Sequence, residues 1–294
     1  MNFKNILIYG LGLMGGSLAL ALKEKDRSVI TTGIVRSERS LSEAMELNLA
    51  DSLYTEEDFL NKDLWNSYDL IVYSLPVDST CQKINELPAS YQGYITDLGS
   101  TKKEIIDTVE KKFSKGHRYC SSHPMTGSEN SGPRFSKADL YQNKLCILTK
   151  PEKSCTESLS LMEKFWTDLG SRTVHIPAKE HDEILAYLSH SPHILSSLLV
   201  TWANERKEVG NYTDKSPLAL AGGGFKDMSR IAGSNPEMWE AIIQTNRKSI
   251  LESLTDFRSR LDSLIQVLSQ SDSSGYWKDY FEKAKDHRQK ILKL

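Results

Sequence analysis

The stretch Ser121-Ser122-His123-Pro124-Met125-Thr126-Gly127-Ser128-Glu129 puts an imidazole in a segment that resists helix. Pro124 disfavours the helical conformation at the residue before it, and Gly127 breaks any helix beyond it. An imidazole with hydroxyls and a carboxylate beside it can take a proton from a substrate near neutral pH. A structural or capping histidine is the competing reading, so the case rests on the surroundings.

A second group of residues has a spacing suited to phosphate. Gly10-Leu11-Gly12-Leu13-Met14-Gly15 follows a short apolar run and opens a helical stretch over residues 14–25. In that context Gly10 allows a tight turn, Gly12 lets the backbone approach a pyrophosphate, and Gly15 lets helix and strand pack closely. The helix start offers unpaired N–H groups and a positive dipole end to the phosphates. The strand expected over 29–35 should end in an acid if the ribose hydroxyl of NAD is held there. Gly33-Ile34-Val35-Arg36-Ser37 has none, and Arg36 with Ser37 can donate to a 2′-phosphate. NADP is therefore expected over NAD, with a solvated surface charge as the alternative for Arg36.

Three further segments carry chemistry. Ser100, after the strand expected over 94–98, is placed to cap the next helix and to face a ligand. Ser189-His190-Ser191-Pro192-His193 sets two imidazoles around a proline, and one of them could be a packed core histidine. The segment 224–230 ends in Arg230, whose guanidinium suits a carboxylate.

The elements that must position these residues follow from the pattern of the chain. Short apolar runs at 5–9, 29–35, 70–75, 94–98, 118–122, 145–148 and 173–176 alternate with helical stretches. This predicts an α/β, Rossmann-type, doubly wound and mostly parallel sheet over residues 1–176. Strand signals stop after Pro177, so residues 177–294 are expected to form an all-helical second domain. Ser234-Asn235-Pro236-Glu237 reads as a capping box with Ser234 as the cap. The seam Ile250, Leu254, Phe257, Leu261, Leu264 and Leu268 fits either a bundle core or a homodimer interface.

At 294 residues the chain has room for two domains, and a net charge of −2 describes an ordinary soluble protein. There is no basic stripe for nucleic acid and no apolar run of membrane-spanning length. Cys81, Cys120, Cys146 and Cys155 show no C-x-x-C spacing, which argues against a metal site and for a reducing compartment. No signal-peptide pattern precedes the first strand, and a cytoplasmic protein is expected.

Taken in order, residues 10–16, 97–102, 123–129, 189–193 and 224–230 with Trp239 resemble the prephenate/arogenate dehydrogenase family of tyrosine biosynthesis. The resemblance spans nearly the whole chain. It implies a Rossmann-type domain, a helical dimerisation domain and an active site in the cleft between them. It also implies oxidative decarboxylation of prephenate to 4-hydroxyphenylpyruvate, or of arogenate to tyrosine, with hydride passed to NAD or NADP. Residue by residue, the resemblance implies His123 as the base, Ser100 as its assistant and Arg230 as the carboxylate ligand. It places His193, with His190 beside it, in the second domain, Ser128 at a hydroxyl position of the loop, and Trp239 near the cleft. Two departures stand out: the missing acid after the second strand, and Ser191 where the family more often has leucine.

Keeping both His190 and His193 favours an anionic side chain, and so prephenate over arogenate. A β-hydroxyacid dehydrogenase or imine reductase would instead need a second-domain lysine, for which Lys226 is the nearest candidate. A non-catalytic NADP sensor would have no chemical need for His123, Ser100 and Arg230 together.

Overall fold

The structure is a computed structural model that describes residues 2–62, 64–127, 130, 132–270 and 275–293. Ser128 lies outside the described residues. The chain divides into two compact units, Met1–Ile250 and Leu251–Leu294.

The first unit is built on a parallel sheet of β1 (Asn5–Tyr9), β2 (Ile30–Val35), β3 (Ser52–Thr55), β4 (Leu70–Tyr73) and β5 (Tyr94–Asp97), in the order β3-β2-β1-β4-β5. The helices α1 (Leu13–Lys25), α2 (Glu38–Glu46), α3 (Glu56–Leu60), α4 (Val77–Glu86) and α5 (Lys103–Lys112) follow their strands. Alternate residues of a strand point to opposite faces. Ile6 and Ile8 accordingly join a core with Leu18, Leu22 and Trp166, while Leu7 and Tyr9 join another with Tyr73, Ile84 and Tyr119. Each aliphatic side chain so buried contributes roughly 1.5–3 kcal/mol. β3 escaped the sequence reading because Ser52-Leu53-Tyr54-Thr55 is only half-buried and has no apolar run.

The remaining strands, β6 (Ser121–Pro124), β7 (Leu145–Thr149) and β8 (Arg172–His175), form a separate sheet, linked to β5 by one bridge from Ile95 to Tyr119. Here β6 and β7 are antiparallel, whereas β7 and β8 are parallel. The difference lies in the connections. The crossover helix α6 (Glu157–Asp168) joins β7 to β8, and parallel neighbours need such a crossover. β6 also runs later than expected and includes His123 itself, so the imidazole sits on a strand end and not in the loop beyond it.

The rest of the first unit is helical: α7 (Ala178–Leu185), a π-helical turn over Ala186–His190, α8 (Ser191–Asn204), α9 (Lys207–Thr213), α10 (Gly223–Ser229) and α11 (Pro236–Thr245). Pro192 stands in the first turn of α8, just after the π turn, where a missing N–H costs no helical hydrogen bond. There the Ser191 N–H reaches back five residues to the Ala186 carbonyl. The cap of α11 is Asn235, not Ser234: the Asn235 side chain accepts from the Met238 N–H at 3.1 Å. Proline favours the first helical position, which moves the cap to the residue just before Pro236.

α12 (Arg247–Leu268) runs from the first unit into the second, which also holds α13 (Tyr276–Leu292). Ile250 is buried, but Phe257, Leu261 and Leu268 of the same seam are exposed. The four cysteines are unpaired, and among the described residues no helix is long and apolar enough to cross a membrane.

Candidate active site

The glycine motif adopts the geometry its spacing implies. Gly10 has φ +97°, a left-handed conformation that side chains resist, and a Cβ there would strike the Ser74 carbonyl. A Cβ on Gly15 would strike the Gly10 carbonyl, so this glycine lets α1 approach β1. At Gly12 nothing lies within 4 Å of where a Cβ would stand. Gly12 is also the cap residue of α1 and offers no side chain to the first-turn N–H groups. An open cradle at an uncapped helix start fits a dinucleotide pyrophosphate. Leu11 is buried core, packed over Gly33, and can serve the cofactor through its backbone only.

Arg36 and Ser37 follow β2, at the place where a ribose is met in this fold. Both are exposed, and Ser37 also caps α2 by accepting from the Ser40 N–H at 3.3 Å.

Beside the cradle lies a cavity of about 580 Å³. Gly12, Leu13 and Met14 line it together with Ser100, His123, His190, His193, Arg230 and Trp239. Residues from both ends of the first unit, far apart in sequence, thus share one space. Lys226 does not line it and is exposed, which leaves a lysine-based mechanism without its residue there.

His123 is held by two residues that the sequence reading did not single out. Its Nδ1 lies 2.8 Å from Nε2 of the wholly buried His181, and His181 Nδ1 lies 2.8 Å from Asp182 Oδ1. A carboxylate can only accept, so His181 Nδ1 carries hydrogen and its Nε2 is a lone pair. That lone pair accepts from His123 Nδ1–H, leaving His123 Nε2 as a bare nitrogen for the cavity. Burial first, then His181, Lys102 and His190, hold the His123 pKa well below the usual imidazole range. Burial also lowers that of His181 against the pull of Asp182. The group is therefore a neutral base.

Asp182 has a further duty. Its two oxygens accept from the backbone N–H groups of Lys102 at 2.8 Å and Lys103 at 2.9 Å, so it caps α5 from eighty residues away. The sequence reading assigned that cap to Ser100. Ser100 instead stands three residues before α5 and lines the cavity with its hydroxyl unengaged by the described residues. The strand carrying His123 is fixed by a buried ion pair. Lys102 Nζ lies 2.8 Å from Asp97 Oδ2 and donates at 2.8 Å to the Ser122 carbonyl, next to the base. Asp97 also accepts from Gly99 N–H at 2.8 Å and from Tyr119 and Ser121 hydroxyls, so the charge is fully hydrogen-bonded.

On the opposite wall His193 stacks on Trp239, with ring centroids 3.9 Å apart, and donates from Nδ1 to the Ser189 carbonyl at 2.9 Å. Neutral His193 thus presents a lone pair at Nε2, and burial followed by nearby Arg230 lowers its pKa. The Trp239 indole N–H is buried without a partner among the described residues, a donor held ready for a ligand. Arg230 lines the same cavity from an exposed position. His190 is buried, and burial takes its pKa down to about 4. Among the described residues no group of His, Cys, Asp and Glu could hold a metal ion.

The family model for the prephenate dehydrogenase nucleotide-binding domain matches residues 18–175, and that for its dimerization domain matches 177–283. A prephenate dehydrogenase from Lactococcus lactis is 32% identical over 97% of this chain and 77% of its own length. The structure of prephenate dehydrogenase from A. aeolicus in complex with hydroxyphenyl propionate and NAD+ superposes with TM-score 0.87, at 29% identity and 99% coverage of both chains. Synechocystis arogenate dehydrogenase superposes with TM-score 0.77 at 25% identity, covering 98% of this chain and 99% of its own. With the two family models together covering most of its length, over residues 18–175 and 177–283, this chain belongs to the prephenate dehydrogenase family.

Proposed function

We propose that this chain oxidatively decarboxylates prephenate to 4-hydroxyphenylpyruvate, passing hydride to NAD or NADP. The observation that carries the reading is the His123–His181–Asp182 relay, which aims a neutral, proton-accepting Nε2 into the cavity that also holds the glycine cradle.

Prephenate bears a hydroxyl at C4 and a carboxylate at C1. His123 Nε2 takes the hydroxyl proton, and the oxygen's electrons weaken the C4–H bond. The nicotinamide, when bound, supplies the hydride acceptor. Loss of the C1 carboxylate as CO₂ then restores aromaticity, and His123 returns its proton to the phenolate oxygen. The proton is borrowed, so the base must be neutral at the start. General-base help of this kind is worth roughly 10²–10⁴-fold. Ser100 holds the reacting hydroxyl in line, Arg230, the Trp239 indole N–H and His190 orient the carboxylates, and the His193 lone pair accepts from a substrate donor.

Two finer readings accompany this. Arg36 and Ser37 favour NADP over NAD, since the end of β2 carries no acid to repel a 2′-phosphate. The exposed Phe257, Leu261 and Leu268 favour a homodimer that buries them, in a reducing compartment such as the cytoplasm. One observation supports arogenate as a second substrate: the neutral His193 Nε2 can accept from an ammonium as well as from a hydroxyl.

Steady-state rates followed at the reduced-nicotinamide band, with prephenate and arogenate each paired with NAD and NADP, test the reading. Prephenate should turn over, and His123→Asn should lower kcat by about 10²-fold or more with KM little changed. Wild-type turnover by that variant would remove His123 from the chemistry.

A further inference from the structure

The residue that sets the hydrogen-bonding sense of His190 belongs to none of the sequence motifs. Asn246 stands at the junction of α11 and α12, is 5% exposed, and follows Thr245, whose hydroxyl lies 2.8 Å from that of Thr101. Its Nδ2 is 2.7 Å from the Asp182 carbonyl oxygen. A carbonyl can only accept, so the atom facing it must be the amide nitrogen, which fixes the orientation of the Asn246 side chain. The same Nδ2 lies 3.0 Å from His190 Nδ1. It spends one hydrogen on each partner, so His190 Nδ1 must be the bare nitrogen.

We propose that Asn246 is a positioning residue that locks His190 as the Nε2–H tautomer, a neutral N–H donor aimed at a substrate oxygen. His190 lines the cavity, and its Nε2 has no hydrogen-bond partner among the described residues. Burial keeps the ring uncharged, so the donor does not depend on protonation. The pair complements His193, which offers a lone pair where His190 offers a hydrogen. A substrate that sets an oxygen acceptor against His190 is thereby held in one orientation relative to His123. Through the Asp182 carbonyl, the same amide also ties this wall to the helix that carries the relay.

The proposal rests on the dehydrogenase reading for its kinetic arm only. In ¹⁵N-histidine NMR of the whole protein, with His190 assigned by comparison with His190→Ala, wild type should show a bare Nδ1 and a protonated Nε2. In Asn246→Asp the carboxylate can only accept, so Nδ1 should become protonated. Asn246→Leu removes the donor; KM for the oxidised substrate should rise about three- to tenfold with kcat nearly held. In a His190→Ala background the same change should leave KM unmoved. A protonated Nδ1 in wild type, or a KM effect that persists without His190, would overturn the assignment. Failure to oxidise prephenate or arogenate at all would instead count against the functional reading and leave the NMR result standing.

Discussion

Replacing His181 with phenylalanine keeps a ring of similar size in a wholly buried position and removes the lone pair that His123 Nδ1–H uses at 2.8 Å. With no water to substitute, the donor is left unpaired, which costs ~1–3 kcal/mol. The cost falls on one tautomer alone, the one whose Nε2 can accept the substrate proton. The other tautomer escapes it by turning a bare Nδ1 to the new ring. At about 1.36 kcal/mol per tenfold, the competent fraction of His123 drops by roughly 5–150-fold. Turnover should drop with it, because the loss concerns proton transfer. KM should move little, since His181 lies behind His123. Initial rates at saturating substrate give kcat, and ¹⁵N shifts of His123 report the tautomer directly. Asp182 still caps α5 in this variant, so the fold should survive, with thermal unfolding as the control. A folded His181→Phe protein with kcat within twofold of wild type, or with its loss confined to KM, would refute the relay.

Three further outcomes rest on the same geometry. His190 has its pKa lowered to about 4 from an unfolded value of about 6.5, so the unfolded chain takes the proton first as pH falls. Stability should therefore decline between about pH 6.5 and 4, by up to ~3 kcal/mol from this group; denaturant melts that are flat across that window would show the ring to be solvated. Arg230→Ala should raise KM about ten- to hundredfold through loss of a charge-assisted bond worth ~1.5–3 kcal/mol, with a smaller fall in kcat. An unchanged KM would make Arg230 structural. Arg36→Ala should weaken NADP by about tenfold and leave NAD nearly unchanged; equal weakening of both would mean that Arg36 supports the fold and not the 2′-phosphate.

The parts of this protein written in local sequence are those governed by short-range rules. Glycine spacing after an apolar run implied the cradle, because backbone conformation at Gly10 and close packing at Gly15 depend on immediate neighbours. Alternation of apolar runs and helices implied a parallel sheet, because each crossover helix constrains the next strand. His123, Ser100, His190, His193 and Arg230 were legible as chemical groups, Trp239 only through the family resemblance, and all of them line one cavity.

What the local sequence did not contain is who holds whom. His181 and Asp182 sit in an ordinary polar stretch of α7, and only the docking of that helix against the start of α5 turns them into a relay and a cap. The reading of Ser100 as a cap failed for the same reason: a residue eighty positions away supplies the oxygens, which leaves the nearer hydroxyl to the cavity. Asn246 gave no signal, since an asparagine between two helices reads as a turn until Asp182 and His190 arrive on its amide. Hydrogen-bond sense passes from group to group through space. The chemical groups could thus be named from the chain, but their tautomers were decided only by the tertiary contacts.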